Sequence, residues 1–286
     1  MATLLPDAAT IQQSLGAIKT GVGALAGPLG TIATMDLSEN SIYWGIVDAE
    51  FPDVYNAMLA EQPSAKDFLA LNIVTDIVAG VQAFADTFQS EAGKMLAIYT
   101  AAGTSALTPA QQSDLDAAMA SLTAGLSAQV QLITAKSTGA QTLSNAINAP
   151  NGNFANGEIA INAAISGTQT NLTGLQNMAS MPGGDSQGVE MGIIEDQALI
   201  TGMTNLLTGV QSIVQANGAM GQALSQDLMV WQTLLGKYQA VAEALKSATT
   251  DPTILSSGDI KGAQLAWSQI ESYAKALAQL RQKLNL

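Results

Sequence analysis

The chain has 286 residues, 48% of them hydrophobic and only 12% charged, with a formal net charge of −13. It contains no histidine and no cysteine. That removes the commonest general base near neutral pH, the commonest zinc ligand and every disulfide or thiolate site, so most catalytic triads, zincins and di-iron helix sites are excluded. The ten basic residues are scattered, which excludes the cation clusters that nucleic acid needs and leaves hydrophobic contact as the basis of any membrane affinity.

Taken from the start, Met1 to Leu15 has neither the basic opening nor the apolar run of a secretory signal, its first lysine being Lys19. If the protein is exported, a route other than a classical signal peptide is expected. Leu15 to Met35 carries the single charge of Lys19 and places Gly23 and Gly27 at the spacing that lets helices approach closely. That spacing serves packing within a soluble bundle as well as dimerisation in a membrane. All eight prolines, from Pro6 through Pro28, Pro52, Pro63, Pro109, Pro150 and Pro182 to Pro252, are expected at or near helix boundaries.

Ser64 to Thr100 reads as one helix, capped by Ser64 and lined on one side by Phe68, Leu71, Val78, Ala85, Phe88 and Leu96. The next helix opens at Thr108-Pro109-Ala110-Gln111, where Thr caps, Pro fits the first helical position and Gln reaches back as in a capping box. It runs through Leu115, Met119, Leu122, Leu126, Val130, Ile133, Ala140, Leu143 and Ile147 to the breaker Pro150-Asn151-Gly152.

The middle of the chain is a candidate head. Polar loops are expected at Asn151 to Gly157 and at Met181 to Asp185. Gly183, Gly184, Gly188 and Gly192 flank Val189, Met191, Ile193 and Ile194, which predicts a hinge beside the edge of a membrane-facing surface. Ile159, Ile161 and Ile165 join that surface if the hairpin folds back, and the same isoleucines would equally complete a bundle core.

From Leu199 the series Leu199, Met203, Leu206, Val210, Ile213, Asn217, Met220, Leu224, Asp227, Trp231, Leu234, Tyr238, Val241, Leu245 advances by alternating steps of four and three. That is a heptad stripe with two polar exceptions, and it predicts one uninterrupted helix that needs partners of similar length. A last helix is expected from about Asp259 to Leu284, with Leu265, Trp267, Ile270, Tyr273, Leu277 and Leu280 along it. Strand content should be near zero.

Charge is unevenly spread. Ala117 to Ala135 and Gln197 to Gln226 have no charged residue, and Ser137 to Gly184 has only Glu158. Ala117 to Ala135 and Gln197 to Gln226 are each around the roughly 20 residues that cross a bilayer, yet Ser, Thr, Asn, Gln and Gly punctuate them too densely for an ordinary transmembrane helix. They read as amphipathic, suited to membrane entry or to a mildly polar bundle core. The carboxylate pairs Glu195-Asp196 and Asp114-x-Asp116 diverge by about 100 and 200 degrees around a helix and share no face, so no catalytic residue, cofactor site or metal site is expected.

Two segments carry a resemblance. Asn40-Ser41-Ile42-Tyr43-Trp44-Gly45-Ile46-Val47-Asp48, followed by Phe51-Pro52 and a helix near Ser64, resembles the amino-terminal pattern of the haemolysin BL and cytolysin A superfamily of α-helical pore-forming toxins. Trp231 in a long late helix, then a loop and Trp267-Ser268-Gln269-Ile270, resembles the closing helices of the same toxins. Trp44, Trp231 and Trp267 are thereby markers of the bundle core. The central loops depart from the strongly hydrophobic hairpin of many members, which makes the chain more similar to one component of a multi-part toxin.

The resemblance implies an all-α, elongated antiparallel bundle of long helices, with residues 1–148 and 196–286 as tail and 149–195 as head and hinge. It implies a non-enzymatic component, secreted in soluble form, that binds the lipid membrane of a target cell and oligomerises with itself or with other toxin components. The alternative reading is a structural coat or secretion-associated translocator, cytoplasmic if it is not exported.

Overall fold

Apolar side chains recurring at steps of three and four give the chain only helices to build, and the ends of those helices are set by local chemistry. The computed structural model describes residues 3–38, 41–103, 105–149, 153–181, 187–247 and 255–284. Among them are eight helices and no strand: α1 (Ala8–Ala33), α2 (Ile42–Glu50), α3 (Pro52–Ala70), α4 (Ile73–Ala102), α5 (Pro109–Asn148), α6 (Asn153–Ala179), α7 (Gln187–Ser247) and α8 (Ser257–Leu284). The all-α fold expected from the sequence is the one found.

One end forms as the sequence predicts, and two others use local devices of the same kind. Thr108 and Gln111 make a reciprocal capping box: the Gln111 amide donates to Thr108 Oγ1 at 3.3 Å and the Thr108 amide to Gln111 Oε1 at 2.9 Å. Ser256 and Asp259 repeat the device at α8, with the Asp259 amide on Ser256 Oγ at 3.1 Å and the Ser256 amide on Asp259 Oδ2 at 3.1 Å. The Ser256 hydroxyl, which also donates to Asp259 Oδ2 at 2.7 Å, and then the Ser256 amide hold the exposed Asp259 carboxyl below the usual range. Gly103, with φ of 60°, ends α4 in a conformation that a side chain would oppose.

Other boundaries differ from expectation. Ser64 is not a cap, because helix α3 has already begun at Pro52 and passes through Pro63 and Ser64. Pro52 fits the first turn, where its missing N–H costs nothing. The break falls instead at Asn72, whose φ of 48° is left-handed, so the expected Ser64 to Thr100 helix is two helices. Pro28 lies inside α1, and residues 153–157, expected in a polar loop, form the start of α6. Pro150, Pro182, Gly183, Gly184 and Pro252 fall outside the described residues.

Helix α7 is a single helix of 61 residues, about 17 turns. Every one of the fourteen positions in its predicted stripe is buried, including Asn217 and Asp227. In α8, Trp267, Ile270 and Leu277 are buried, whereas Leu265, counted on the sequence stripe, is exposed.

The chain divides into two compact units, and α1, α5 and α7 contribute residues to both. The first comprises residues 1–22, 72–138 and 220–286. Its centre is aromatic: the Trp267 ring lies 4.6 Å from Phe84, 5.9 Å from Phe88 and 6.1 Å from Trp231. Polar atoms in that centre are largely paired, since Trp267 Nε1 donates to Tyr238 Oη at 3.0 Å and Tyr238 Oη donates to the Leu4 carbonyl at 2.8 Å. Ser14 Oγ and Trp231 Nε1 both donate to Asp227 Oδ1, at 2.5 and 3.2 Å. Helices α1 and α7 run antiparallel here and touch closely, a Cβ on Gly21 falling 2.9 Å from Met220 Cα. Gly23 and Gly27, which have the spacing for close helix approach, face open space.

The second unit comprises residues 23–71 and 139–219. Helix α3 packs on α2 and α6. Tyr55 Oη donates to the Leu37 carbonyl at 2.8 Å, and Gln62 Nε2 donates to the carbonyls of Ile32 and Met35 at 3.2 and 2.9 Å, tying α3 to the end of α1. Trp44 of α2 is buried, with its ring 6.5 Å from Tyr55. Trp231 and Trp267 are fully buried in the first unit.

Candidate membrane-facing site

Within the second unit, α6 and the first part of α7 form an antiparallel hairpin. Asn171 Nδ2 donates to Asp196 at 2.9 Å, Gln211 Nε2 donates to Glu158 at 2.9 Å, and a Cβ on Gly192 would meet Leu175 at 3.0 Å. These pairs fix the register and set the stretch from Val189 to Ile194 across from about Thr173 to Met178.

Along this hairpin the burial pattern changes. Phe154, Ile161, Ala164 and Thr168 of α6 are buried, but none of the described residues between Gln169 and Gly188 is. At this end Met178, Met181, Met191 and Ile194 are each between 52% and 65% exposed. The α6 sequence after Glu158 has no charged side chain, so amides, hydroxyls and apolar groups make up its surface. Many of its hydroxyls are satisfied internally: Thr168, Thr170 and Thr173 donate to the carbonyls of Ala164, Ser166 and Gln169 at 2.8 to 3.0 Å. A hydroxyl bonded to its own helix loses little when water is removed.

The residues nominated from sequence separate into distinct environments. Met191 and Ile194 are exposed at the end of the hairpin, Ile193 is half-buried, and Val189 is buried. Gly188 and Gly192 lie inside α7. Ile159, Ile161 and Ile165 sit farther along α6, two or more turns from the segment facing Val189–Ile194. Ile161 is fully buried, Ile165 half-buried, and Ile159 exposed beside a cleft of about 420 Å³ shared with Asp53, Asn56, Ala57 and Ala60 of α3. Met191 and Ile194 therefore lie on the same exposed part of the hairpin as Met178 and Met181, two methionines not nominated from sequence. Their signal was available, as unbranched apolar residues at the end of a charge-free run.

Pro52–Ala102, which comprises α3 and α4, contains an 18-residue window apolar enough to cross a bilayer, of which 39% is buried. The composition suits a bundle core equally, and Ile77, Val81, Phe84 and Phe88 are buried there. Among the described residues no group of three or more carboxylates could hold a metal ion.

No family model and no curated protein matches the chain. Solved structures do. The soluble form of SmhB, from the tripartite α-pore-forming toxin Smh of Serratia marcescens, is similar with a TM-score of 0.65 at 8% identity, over 95% of this chain and 91% of that one. The HblL1 toxin component of Bacillus cereus is similar with a TM-score of 0.51 at 11% identity, over 97% of each chain. At such identities the likeness is one of fold, and the chain shares the helical fold of these toxin components, as the resemblance of its two ends implied.

Proposed function

We propose that this chain is a non-enzymatic component of an α-pore-forming toxin, secreted in soluble form, that binds the membrane of a target cell, changes conformation and oligomerises with itself or with partner components. Residues 149–195 act as the head. The observation that carries the proposal is the end of the α6–α7 hairpin, where Met178, Met181, Met191 and Ile194 are exposed and no described residue between Gln169 and Gly188 is buried. Its placement on a fold shared with soluble SmhB supports the reading.

The physics fits a conditional inserter. A hairpin end without a core of its own gives up few contacts when it leaves water. Its α6 side chains after Glu158 are uncharged, while the exposed Glu190 and Glu195 of α7 would have to stay at the lipid surface or be protonated to avoid the cost of taking charge into hydrocarbon. The same few contacts place two arrangements within a few kcal/mol of each other, which a shape change on lipid contact requires. Flexible methionines adapt to disordered acyl chains and to partner surfaces alike.

Leakage of dye from phosphatidylcholine vesicles tests the proposal, with the chain alone and with its partner components. Binding in at least one combination, and leakage in the complete one, is expected. Failure to bind lipid in any combination refutes the proposal, whereas binding in all of them with leakage in none favours a coat or translocator.

A further inference from the structure

Glu61 is the least comfortable residue in the second unit. It is fully buried in α3, and neither carboxyl oxygen has a hydrogen-bond partner among the described residues. It points at the opening turns of α6, where a Cβ on Gly157 would fall 2.6 Å from Glu61 Oε1 and 3.1 Å from the end of Met58. Glycine at 157 is thus what admits the carboxyl between the helices.

Among the described residues of the second unit nothing cationic faces it. Helix α6 offers Glu158, already bonded to Gln211, and α2 offers the exposed Asp48 and Glu50. Residues 23–33 of α1 and 139–148 of α5 carry no charge. On α3 itself, Asp53, Lys66 and Asp67 are exposed, and Lys66 Nζ donates to Gln62 at 2.8 Å. An ionised Glu61 would have neither a counter-charge nor a donor, so the packed state favours the neutral acid. Burial accordingly pushes its carboxyl up to about 8.

We infer that the α3–α6 junction is a proton-held latch: with Glu61 protonated the two helices stay packed, and loss of that proton releases α6 and the hairpin it begins. The sign is opposite to that of an acid trigger. An acid bound more tightly by its proton in the packed state than in water makes packing strongest at low pH and weakens it as pH rises. Acid holds the head closed; neutral to mildly alkaline solution loosens it. The consequence for membrane attack rests on the toxin reading, but the latch does not.

Amide hydrogen exchange on the full-length chain between pH 5 and 9, corrected for intrinsic rates, tests the latch without any membrane. Opening of residues 153–168 should increase by about tenfold per pH unit up to roughly pH 8 and then level off, one proton being lost per opening. The buried amides of α8 should not follow that curve. Glu61→Gln keeps the shape and removes the charge, and Glu61→Met does the same with an apolar group; the pH dependence should vanish in whichever variant folds. A flat wild-type profile, or an unchanged slope in either folded variant, overturns the inference. If the slope is present in wild type and lost in the variants while vesicles bind the chain at neither pH 6 nor pH 8.5, the latch stands and the toxin reading falls.

Discussion

The aromatic centre of the first unit and the end of the α6–α7 hairpin in the second are built from the same kind of helix and differ in what the helix rests on. Phe84, Phe88 and Trp231 place their rings 4.6 to 6.1 Å from Trp267, and Tyr238 lies 6.2 to 6.3 Å from Phe88 and Phe84, while the polar atoms of Trp231, Trp267 and Tyr238 are bonded to Asp227, Leu4 and each other. Between Gln169 and Gly188 no described residue is buried, and the Thr170 and Thr173 hydroxyls bond to their own helix, with Asn171 reaching across to Asp196. A helix of the first kind is held by tertiary packing; one of the second kind is held mainly by its own backbone. Only the second is free to change partners at low cost, which is why composition that looks uniform along the chain supports two different roles.

The comparison breaks first at its heaviest point. Trp267→Ala should cost about 3–5 kcal/mol, because removal of the indole leaves a cavity between rings that are too constrained to fill it. Guanidinium unfolding of the full chain measures this, and a cost under about 1 kcal/mol would mean that the aromatic centre is not what holds the first unit. Asp227 comes next. Burial raises its carboxyl from 3.8 to about 6, against the opposing bonds from Ser14 and Trp231. A raised carboxyl contributes most stability below its unfolded value, and that contribution is lost as pH climbs through about 6, roughly 3 kcal/mol in all at 1.36 kcal/mol per unit. Asp227→Asn retains an acceptor without the charge, so the stability difference between wild type and variant should shift by about that amount from pH 3 to pH 7. A constant difference would show that Asp227 is not desolvated.

Within α1, two glycines sharpen the same distinction between supported and unsupported helix. Gly21→Ala drives a methyl into the backbone of Met220, 2.9 Å away, and should cost about 1–3 kcal/mol through overpacking. Gly23→Ala meets nothing within 4 Å and should instead gain about 0.5–1 kcal/mol from helix propensity. Thermal unfolding of the two variants should move in opposite directions; movement in the same direction would place the close approach elsewhere.

Legibility in the sequence followed the same line. The heptad stripe of α7 was readable in full because long-range burial imposes a strict period, and even Asn217 and Asp227 obey it. The capping box at Thr108 was readable because it is local. The break at Asn72 was not, since a left-handed residue leaves no pattern when it is not glycine. That miss hid another. With α3 begun at Pro52, the buried positions Val54, Met58, Glu61, Ala65 and Phe68 form their own stripe and place Glu61 in the core; begun at Ser64, the helix excludes it. Gly21 was overlooked for Gly23 and Gly27 because a small-residue spacing says nothing about which face the partner occupies. At the end of the α6–α7 hairpin the glycines of the sequence do not mark which apolar residues are exposed, since exposure of Met178 and Met191 depends on what packs against them and not on local sequence.

The smallest expected stability effect lies at that end of the hairpin and bears most on function. Ile194→Ser and Met191→Ser replace side chains that are already exposed, so each should alter unfolding stability by no more than about 0.5 kcal/mol. If the end inserts, each nevertheless removes apolar area that would be buried in lipid, at about 25 cal/mol per Å², and vesicle binding should weaken several-fold per substitution. The double variant should weaken binding by roughly the product of the two factors, because exposed neighbours without shared partners act nearly independently. Co-sedimentation with phosphatidylcholine vesicles measures this directly. Unchanged binding at unchanged stability would separate exposure from insertion and move the membrane contact to another part of the chain, with the apolar stretch Pro52–Ala102 as the next segment to substitute.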